Sequence, residues 1–164
     1  MVTVLGIDPG LANTGYGVVQ RRGGGMVALD GGVIATAAGT ELGERLQRIH
    51  DAVCQLIDHH RPVALAMESL YFGKNVSSAL VVGQARGVVL LAAAQRGVVC
   101  LDYTPQQIKG AVCGSGSADK AQVQRMVQAL LRLAEPPRPD HAADALAAAI
   151  CHANHAPFRA AVPA

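Results

Sequence analysis

Short apolar runs separated by turn residues indicate β-strands along much of this chain. They lie at residues 2–8, 14–20, 26–36, 63–68 and 98–103. Their length and their Val and Ile content are typical of strands. The second run contains Gly15 and Gly17, where we expect another element to approach closely. The third run contains Gly31-Gly32, which predicts a bulge.

Longer segments with apolar residues at every third or fourth position predict helices. These segments are residues 41–60, 76–96, 119–133 and 140–150, and a short helix opens at Thr104-Pro105. Thr40 and Asp140 are the predicted caps of the first and last helices. Three consecutive strands, followed by strands that alternate with helices, predict an α/β fold. The first three strands would form a meander, and helical crossovers would join the later ones.

The bulk composition fits one globular domain with its own core. The chain has 164 residues, of which 51% are hydrophobic and 16% charged, and this balance excludes a disordered protein. We expect residues 1–155 to form the domain and residues 156–164 to form a disordered tail. No internal repeat or second domain is indicated.

Cysteine spacing and hydropathy bear on the compartment. No two of the four cysteines form a C-x-x-C pair, so we expect reduced, mostly buried thiols in a cytoplasmic protein. The first residues lack the basic region of a signal peptide. Gly83, Gln84, Arg86 and Gly87 interrupt the most apolar stretch, residues 79–94, which predicts that it does not span a membrane.

Metal-binding side chains occur at two predicted strand ends and one predicted helix start. Asp8 ends the first strand, Glu68 ends the fourth, and His141 and Asp144 share one face of the last helix. If the two strands are parallel neighbours, Asp8 and Glu68 emerge side by side and repel each other unless a cation lies between them. Oxygen ligands with one imidazole suit Mg²⁺ or Mn²⁺ better than zinc.

These residues also have ordinary explanations. Asp8 before Pro-Gly is a common turn starter, and Asp144 would interact favourably with a helix dipole. Asp140 lies four residues before Asp144 and is an alternative to His141 as the fourth site residue. We favour His141 because Asp140 would be occupied by capping. The remaining histidines have no carboxylate pattern around them and are interpreted as surface or core residues.

The charge balance changes when the candidate site acids are set aside. The whole chain carries a formal charge of +2, with 14 basic and 12 acidic side chains. Without Asp8, Glu68 and Asp144, nine acids face the 14 basic residues. An acidic pocket on a mildly basic body suits a polyanionic substrate, although an ordinary soluble protein has a similar balance.

A set of short motifs resembles the RuvC family of Holliday junction resolvases. The motifs occur in the family's order between about residues 2 and 153. They are Leu5-Gly-Ile-Asp-Pro-Gly10, Thr14-Gly-Tyr-Gly-Val18, Lys74-Asn75, Gly83-Gln-Ala-Arg-Gly87, Lys109, Gly116-Ser-Ala-Asp-Lys120 and Ala142-Ala-Asp-Ala-Leu-Ala147. Each motif is short, but the set as a whole is specific.

The resemblance implies both a fold and an activity. The fold would be ribonuclease-H-like, with a five-stranded mixed sheet whose second strand is antiparallel to the rest and helices on both faces. The activity would be resolution of four-way DNA junctions by paired symmetric nicks in strands of like polarity, in homologous recombination and repair. A homodimer, two Mg²⁺ or Mn²⁺ ions per site and a RuvA–RuvB branch-migration partner are also implied.

The resemblance also assigns roles to residues. The family's catalytic and metal site maps onto Asp8, Glu68, His141 and Asp144, although some members have Asp in place of His141. Tyr71 aligns with the family's stacking aromatic, which would contact an unstacked base at the crossover. An aromatic pair packed under a helix is the alternative. The candidate DNA contacts are Tyr71, Phe72, Lys74, Asn75, Arg86, Lys109 and Lys120.

Three other functions deserve comparison. Gly6-Ile-Asp-Pro-Gly10 before a glycine-spaced hairpin resembles the first phosphate loop of actin-like and Hsp70-like ATPases, but those proteins need two such lobes. A non-catalytic junction-binding scaffold would not need the intact acids. A ribonuclease-H-like nuclease that acts on RNA or simple duplex would use the same acids, and only the fuller set of motifs argues against it.

Overall fold

A computed structural model describes residues 1–69 and 75–155. Its five strands form one sheet in the order β3-β2-β1-β4-β5. Strand β2 is antiparallel to β1 and β3, while β1, β4 and β5 are mutually parallel. This is the predicted five-stranded mixed sheet with an antiparallel second strand. The strand bounds are β1 Val2–Asp8, β2 Asn13–Arg22, β3 Gly25–Ala35, β4 Ala64–Glu68 and β5 Val99–Tyr103.

The bulge in β3 lies at Leu29, so its predicted position is wrong. Val18 pairs with Asp30 and Val19 with Ala28, which leaves Leu29 as the extra residue. Gly31 and Gly32 pair regularly instead. The absence of a side chain at Gly32 makes room for a ring, because a Cβ there would lie 3.0 Å from the Oη atom of Tyr16.

The helices follow the predicted segments, with differences at their ends. The bounds are α1 Leu42–His60, α2 Val76–Gln95, α3 Pro105–Cys113, α4 Lys120–Leu131 and α5 Asp140–His155. Glu41, not the predicted Thr40, caps α1, since its carboxylate accepts a hydrogen bond from the Glu44 amide at 3.2 Å. Thr104 and Asp119 each begin a capping box.

Helices cover both faces of the sheet, as the resemblance implies. Successive strand residues point to opposite faces, and the core divides accordingly. Val4 and Ala66 pack with residues of α3, α4 and α5, whereas Leu5, Leu65 and Met67 pack with residues of α1 and α2. The face covered by α5 is the one that bears the candidate site.

The four cysteines are free thiols, as expected. Cys54 and Cys151 are buried, and Cys100 and Cys113 are half-buried. Burial raises the pKa of the Cys151 thiol to about 11. A thiol with so high a pKa stays protonated at neutral pH and is therefore a poor nucleophile.

Helix α2 is longer than the apolar stretch at residues 79–94, for which the sequence predicts no membrane span. It has 20 residues, and its most apolar 18-residue window has a mean hydropathy of 1.6, with 28% of the window buried. By length and composition alone, α2 could therefore cross a bilayer. One such helix is weak evidence, because apolar helices of soluble proteins pass the same test. Its exposed apolar side chains are Val76, Leu80, Val81, Leu90 and Leu91.

Candidate active site

Parallel pairing of β1 with β4 places two carboxylates side by side. Ile7 pairs with Met67, so Asp8 and Glu68 are the next residues on two neighbouring strands. Asp8 follows Gly6 by two positions and Glu68 follows Ala66 by two, which directs both side chains to the face covered by α5. The structure thus confirms that these strand ends are adjacent.

Glycines let α5 lie directly against the sheet beside these carboxylates. A Cβ at Gly6 would lie 2.8 Å from the carbonyl carbon of Ala145, and one at Gly17 would lie 2.6 Å from Cδ2 of Leu146. A Cβ at Gly15 would collide with the backbone of His141. The predicted close approach at Gly15 and Gly17 is therefore confirmed. It brings the first turns of α5 over the end of β1.

The first turn of α5 delivers His141 to Asp8. His141 Nδ1 lies 2.9 Å from Asp8 Oδ2, and both side chains are partly exposed to solvent. Asp144 is one turn further along the same helix and is half-buried. This hydrogen bond joins a helix residue to a strand residue 133 positions earlier in the chain.

Asp140 is not the predicted cap of α5 but its first residue. The carbonyl of Pro139 accepts hydrogen bonds from the amides of Ala142 and Ala143, at 3.0 and 3.2 Å. The Asp140 carboxylate instead binds α4, where it lies 3.2 Å from Lys120 Nζ and accepts a hydrogen bond from Gln124 Nε2 at 3.0 Å. The reason given for preferring His141 was therefore wrong, although His141 is the residue that contacts Asp8.

Electrostatic coupling links the three acids. The pKa of Glu68 is raised by burial of its carboxyl group and by the negative charges of Asp144 and Asp8. The pKa of Asp144 is raised by burial and then by Asp8. The negative charges of the acids therefore repel one another. Such repulsion is what a bound cation would relieve.

The acids do not form a closed ligand cage. Within residues 1–69 and 75–155, no three His, Cys, Asp or Glu side chains lie close enough together to hold one metal ion. The fit to a metal therefore rests on the chemistry of the donors, which are hard oxygens with one adjacent imidazole, and on their mutual repulsion.

A small cleft lies beside the acids. Its volume is about 230 Å³, and two of the acids and two lysines line it, together with apolar side chains of α3, α4 and α5. The polar residues are Glu68, Asp144, Lys109 and Lys120. A larger groove of about 760 Å³ lies between β3 and α1 and contains none of the predicted site residues.

A partly buried hydrogen bond joins the end of β5 to α5 near the site. Tyr103, which pairs with Glu68 in the sheet, has its Oη atom 2.6 Å from Nδ1 of His152. The Tyr103 carbonyl also accepts a hydrogen bond from the Ser69 amide at 2.8 Å. The roles of Tyr103 and His152 were not predictable from the sequence, because no local pattern connects the two positions that this hydrogen bond joins.

His152 gives the fold a predictable dependence on pH. Its pKa lies below the ordinary value of 6.5 because of burial and then because of nearby His155. Unfolding would restore the ordinary pKa, so the unfolded chain binds more protons at mildly acidic pH. His152 therefore supports the fold fully above about pH 6.5, and we expect this contribution to be lost as the pH falls below that value.

Chemical denaturation between pH 7.5 and 5.5 measures this effect. His152→Gln, which can still hydrogen-bond Tyr103, should show a shallower fall in unfolding free energy than the parent protein. His59→Gln, at an exposed position, is the matched control. Equal pH slopes for the parent and His152→Gln would contradict the assignment.

The candidate DNA contacts lie in different parts of the structure. Lys109 and Lys120 line the cleft. Asn75 caps α2, and its side chain accepts a hydrogen bond from the Ser78 amide at 3.3 Å. Arg86 is on α2, and its guanidinium group contacts Asp102 and the backbone of Glu68. Tyr71, Phe72 and Lys74 lie outside the described residues.

Comparison with known proteins places this chain in a family. A family model described as "Crossover junction endodeoxyribonuclease RuvC" matches residues 4–152. The chain belongs to the RuvC family. The RuvC proteins of Moorella thermoacetica and Chloroflexus aggregans are 54% and 53% identical to it over 156 and 153 residues. These matches cover 95% and 93% of this chain and 93% of each relative.

Solved RuvC structures share the fold as well as the sequence. The chain matches T. thermophilus RuvC in complex with a Holliday junction substrate with a TM-score of 0.91 and 42% identity, over 94% of each chain. The predicted ribonuclease-H-like architecture is therefore confirmed. RuvC proteins are crossover junction endodeoxyribonucleases that depend on metal, so the alternative of an actin-like ATPase is wrong.

Proposed function

We propose that Asp8, Glu68 and Asp144 form the metal site with which this nuclease cuts four-way DNA junctions. One observation carries the proposal: acids from two strand ends and a helix lie on one face of the sheet at a lysine-lined cleft, near enough for the charges of Asp144 and Asp8 to raise the pKa of Glu68. Such carboxylates favour a bound cation, and the lysines favour a phosphate backbone. The same arrangement agrees with membership of the RuvC family.

The metal would be Mg²⁺ or Mn²⁺, with two ions per site. Bound ions would polarise the scissile phosphate and make water a stronger nucleophile. The three carboxylates would hold the metal ions, and the lysines of the cleft would orient the DNA backbone. His141 contacts Asp8 through the 2.9 Å hydrogen bond, and its imidazole would either help to hold a metal ion or shuttle a proton.

Junction selectivity separates this function from the alternatives. End-labelled four-way junction, linear duplex and RNA–DNA hybrid are incubated with the protein and Mg²⁺, Mn²⁺ or EDTA. We expect symmetric, metal-dependent nicks in the junction alone, in strands of like polarity. Binding without cleavage in either metal would favour a scaffold, and cleavage of the hybrid would favour an RNA-directed nuclease.

Lys109 is the clearest candidate among the phosphate contacts. It lines the cleft, and its charge opposes the rise in the pKa of Glu68. Lys120 is partly neutralised by Asp140, 3.2 Å away. We expect Lys109→Met to weaken junction binding and to reduce the slope of log affinity against log salt by about 1.

Fluorescence anisotropy across a salt series checks the role of Lys109. Arg45→Met, on helix α1, removes one positive charge outside the cleft and controls for net charge. If Lys109→Met and the parent protein share the same salt slope, Lys109 makes no phosphate contact.

The exposed apolar side of α2 supports a homodimer. Val76, Leu80 and Leu91 recur at helical spacing and are 77%, 62% and 51% exposed. Several exposed apolar side chains on one side of a helix are typical of an interaction site. A twofold dimer would present two active sites, as paired cuts in a symmetric junction require.

Analytical ultracentrifugation at micromolar concentration tests the dimer. We expect a dimer for the parent protein and a monomer for Leu80→Arg, because a charge would be buried in the interface. Leu42→Arg on α1, another exposed leucine, should remain dimeric. A monomeric parent protein, or a dimer that tolerates Leu80→Arg, would rule out this interface.

Other features of the proposed function rest on family resemblance alone. These are base stacking by Tyr71 with Phe72, backbone contacts by Lys74 and Asn75, partnership with a RuvA–RuvB branch-migration complex, and a cytoplasmic location. We retain them as parts of the proposal.

A further inference from the structure

The geometry points to Arg86 and Asp102 as a clamp that positions Glu68 from the opposite face of the sheet. One nitrogen of the Arg86 guanidinium group, Nη1, donates a hydrogen bond to the backbone carbonyl of Glu68 at 3.2 Å. The other, Nη2, forms a hydrogen-bonded ion pair with Asp102. This inference rests on the proposed role of Glu68 at the metal site.

Strand alternation shows that the clamp and the site lie on different faces. Asp102 pairs with Met67, so both side chains point toward α2. Arg86 Nη1 lies 3.9 Å from Met67 Sδ on that face. The carboxylate of Glu68 points to the other face, toward α5. Arg86 therefore reaches Glu68 from behind, through its backbone.

The burial of Arg86 indicates that its side chain makes contacts within the protein. Only 14% of its side chain is exposed, whereas 49% of the Asp102 side chain is exposed. Two of the five N–H donors of the guanidinium group bind a carboxylate and a carbonyl, and these bonds hold the group on the α2 side of the sheet. An arginine that contacts phosphate would need its donors on the face that carries the cleft. The structure thus favours a positioning role over the DNA contact that the family resemblance suggested.

The clamp acts on the backbone at the end of β4, which sets the position of Glu68. Glu68 is the last residue of β4, and the 2.8 Å bond from the Ser69 amide to the Tyr103 carbonyl secures the following residue to β5. Residues 70–74 come next. The Glu68 carbonyl would otherwise have one less anchor at the end of its strand. Loss of the clamp should let the carboxylate depart from the position that the metal site requires.

Two conservative substitutions separate the clamp from a phosphate contact. Arg86→Lys keeps the positive charge but loses the planar fork that reaches two acceptors at once. Asp102→Asn keeps the arginine and weakens its partner. A lost phosphate contact would weaken junction binding in Arg86→Lys and leave the chemical step unchanged in both variants. A clamp would be damaged by both, with an effect on the chemical step and not on junction affinity.

The experiment measures single-turnover cleavage at saturating protein, junction affinity and Mn²⁺ binding to the DNA-free protein by electron paramagnetic resonance. For Arg86→Lys and Asp102→Asn, we expect the cleavage rate or the Mn²⁺ affinity to fall about 10–100-fold, the usual cost of losing a group that orients a ligand. Junction affinity should change less than about twofold. The exchange rate of the Ser69 amide, measured by NMR, should rise in both variants.

A second arginine–aspartate pair provides matched controls. Arg96, the C-cap residue of α2, pairs with Asp58 of α1 through bonds of 2.8 and 3.1 Å, away from the site residues. Arg96→Lys and Asp58→Asn make the same chemical changes and should leave rate, Mn²⁺ affinity and Ser69 exchange unaltered. If Arg86→Lys does not fold, Asp102→Asn alone tests the clamp. We expect this variant to fold, because the amide oxygen of Asn can still accept a hydrogen bond from Arg86.

The outcomes distinguish the clamp from the function on which it rests. A parent protein that does not cut junctions would refute the proposed function. A parent protein that cuts them, with both clamp variants equal to it in rate, Mn²⁺ affinity and Ser69 exchange, would refute the clamp alone. Weaker junction binding with a normal saturated rate in Arg86→Lys would make Arg86 a DNA contact and also overturn the clamp.

Discussion

Asp8→Asn is expected to abolish junction cleavage while leaving junction binding intact. Asn has nearly the same shape as Asp, so the bond to His141 and the end of β1 should persist. It lacks the negative charge that would hold a metal ion beside Glu68 and Asp144. We expect the single-turnover rate to fall by about 10³-fold or more, since removing one charge-stabilising group from an active site already costs 10²–10³-fold.

Gel-based nicking and anisotropy on the same junction measure the two properties separately. Asp51→Asn, at an exposed position on α1, removes one negative charge elsewhere and should cut at the parent rate. Junction affinity of Asp8→Asn should equal or exceed that of the parent, because the cleft becomes less negative. Cleavage at the normal rate would remove Asp8 from the site.

Gly15→Ala is expected to damage both the fold and the site. Its Cβ would lie 2.9 Å from the Cβ of His141 and closer still to the His141 backbone. The start of α5 would have to move away from β2, and His141 and Asp144 would move with it. Overpacking of this kind costs about 1–3 kcal/mol. For a chain of this size we expect a fall in Tm of about 3–10 °C.

Activity should suffer more than stability in Gly15→Ala. A displacement of about 1 Å in a catalytic group can reduce the rate about 10²-fold. Calorimetry and single-turnover cleavage at 25 °C, where the variant remains folded, separate the two effects. Gly25→Ala, in β3 with no atom within 4 Å of the added Cβ, is the control. Parent-like Tm and rate in Gly15→Ala would show that α5 does not depend on this contact.

Local sequence patterns were sufficient to predict most of the fold. Apolar runs located the five strands of the described sheet, and apolar residues at helical spacing located the helices. The parallel pairing that aligns Asp8 with Glu68 could be stated only as a condition, since periodicity does not reveal which strands are neighbours. The family resemblance supplied the five-stranded mixed sheet with its antiparallel second strand, and the strand order came from the structure.

Details set by tertiary contacts were not predictable from local sequence. Gly31-Gly32 looked like a bulge, but the space at Gly32 accommodates the Tyr16 ring and the extra residue is Leu29. Asp140 was predicted to be a cap, but its carboxylate binds Lys120 and Gln124 on α4 or at its start.

Arg86 illustrates the same limit at the functional site. Its sequence motif suggested a DNA contact, and only the sheet register revealed that it faces Asp102 and the backbone of Glu68. No local sequence pattern indicated a role for Asp102, because the role of an acid within a strand depends on its tertiary contacts.

Anomalous X-ray diffraction from crystals of the protein grown with Mn²⁺ and a four-way junction tests the central claim most directly. The account predicts Mn²⁺ peaks within about 2.5 Å of carboxylate oxygens of Asp8, Glu68 and Asp144. The scissile phosphate should lie at the same ions. Strong peaks elsewhere, such as between Asp30 and His60, with none at these three acids, would contradict it.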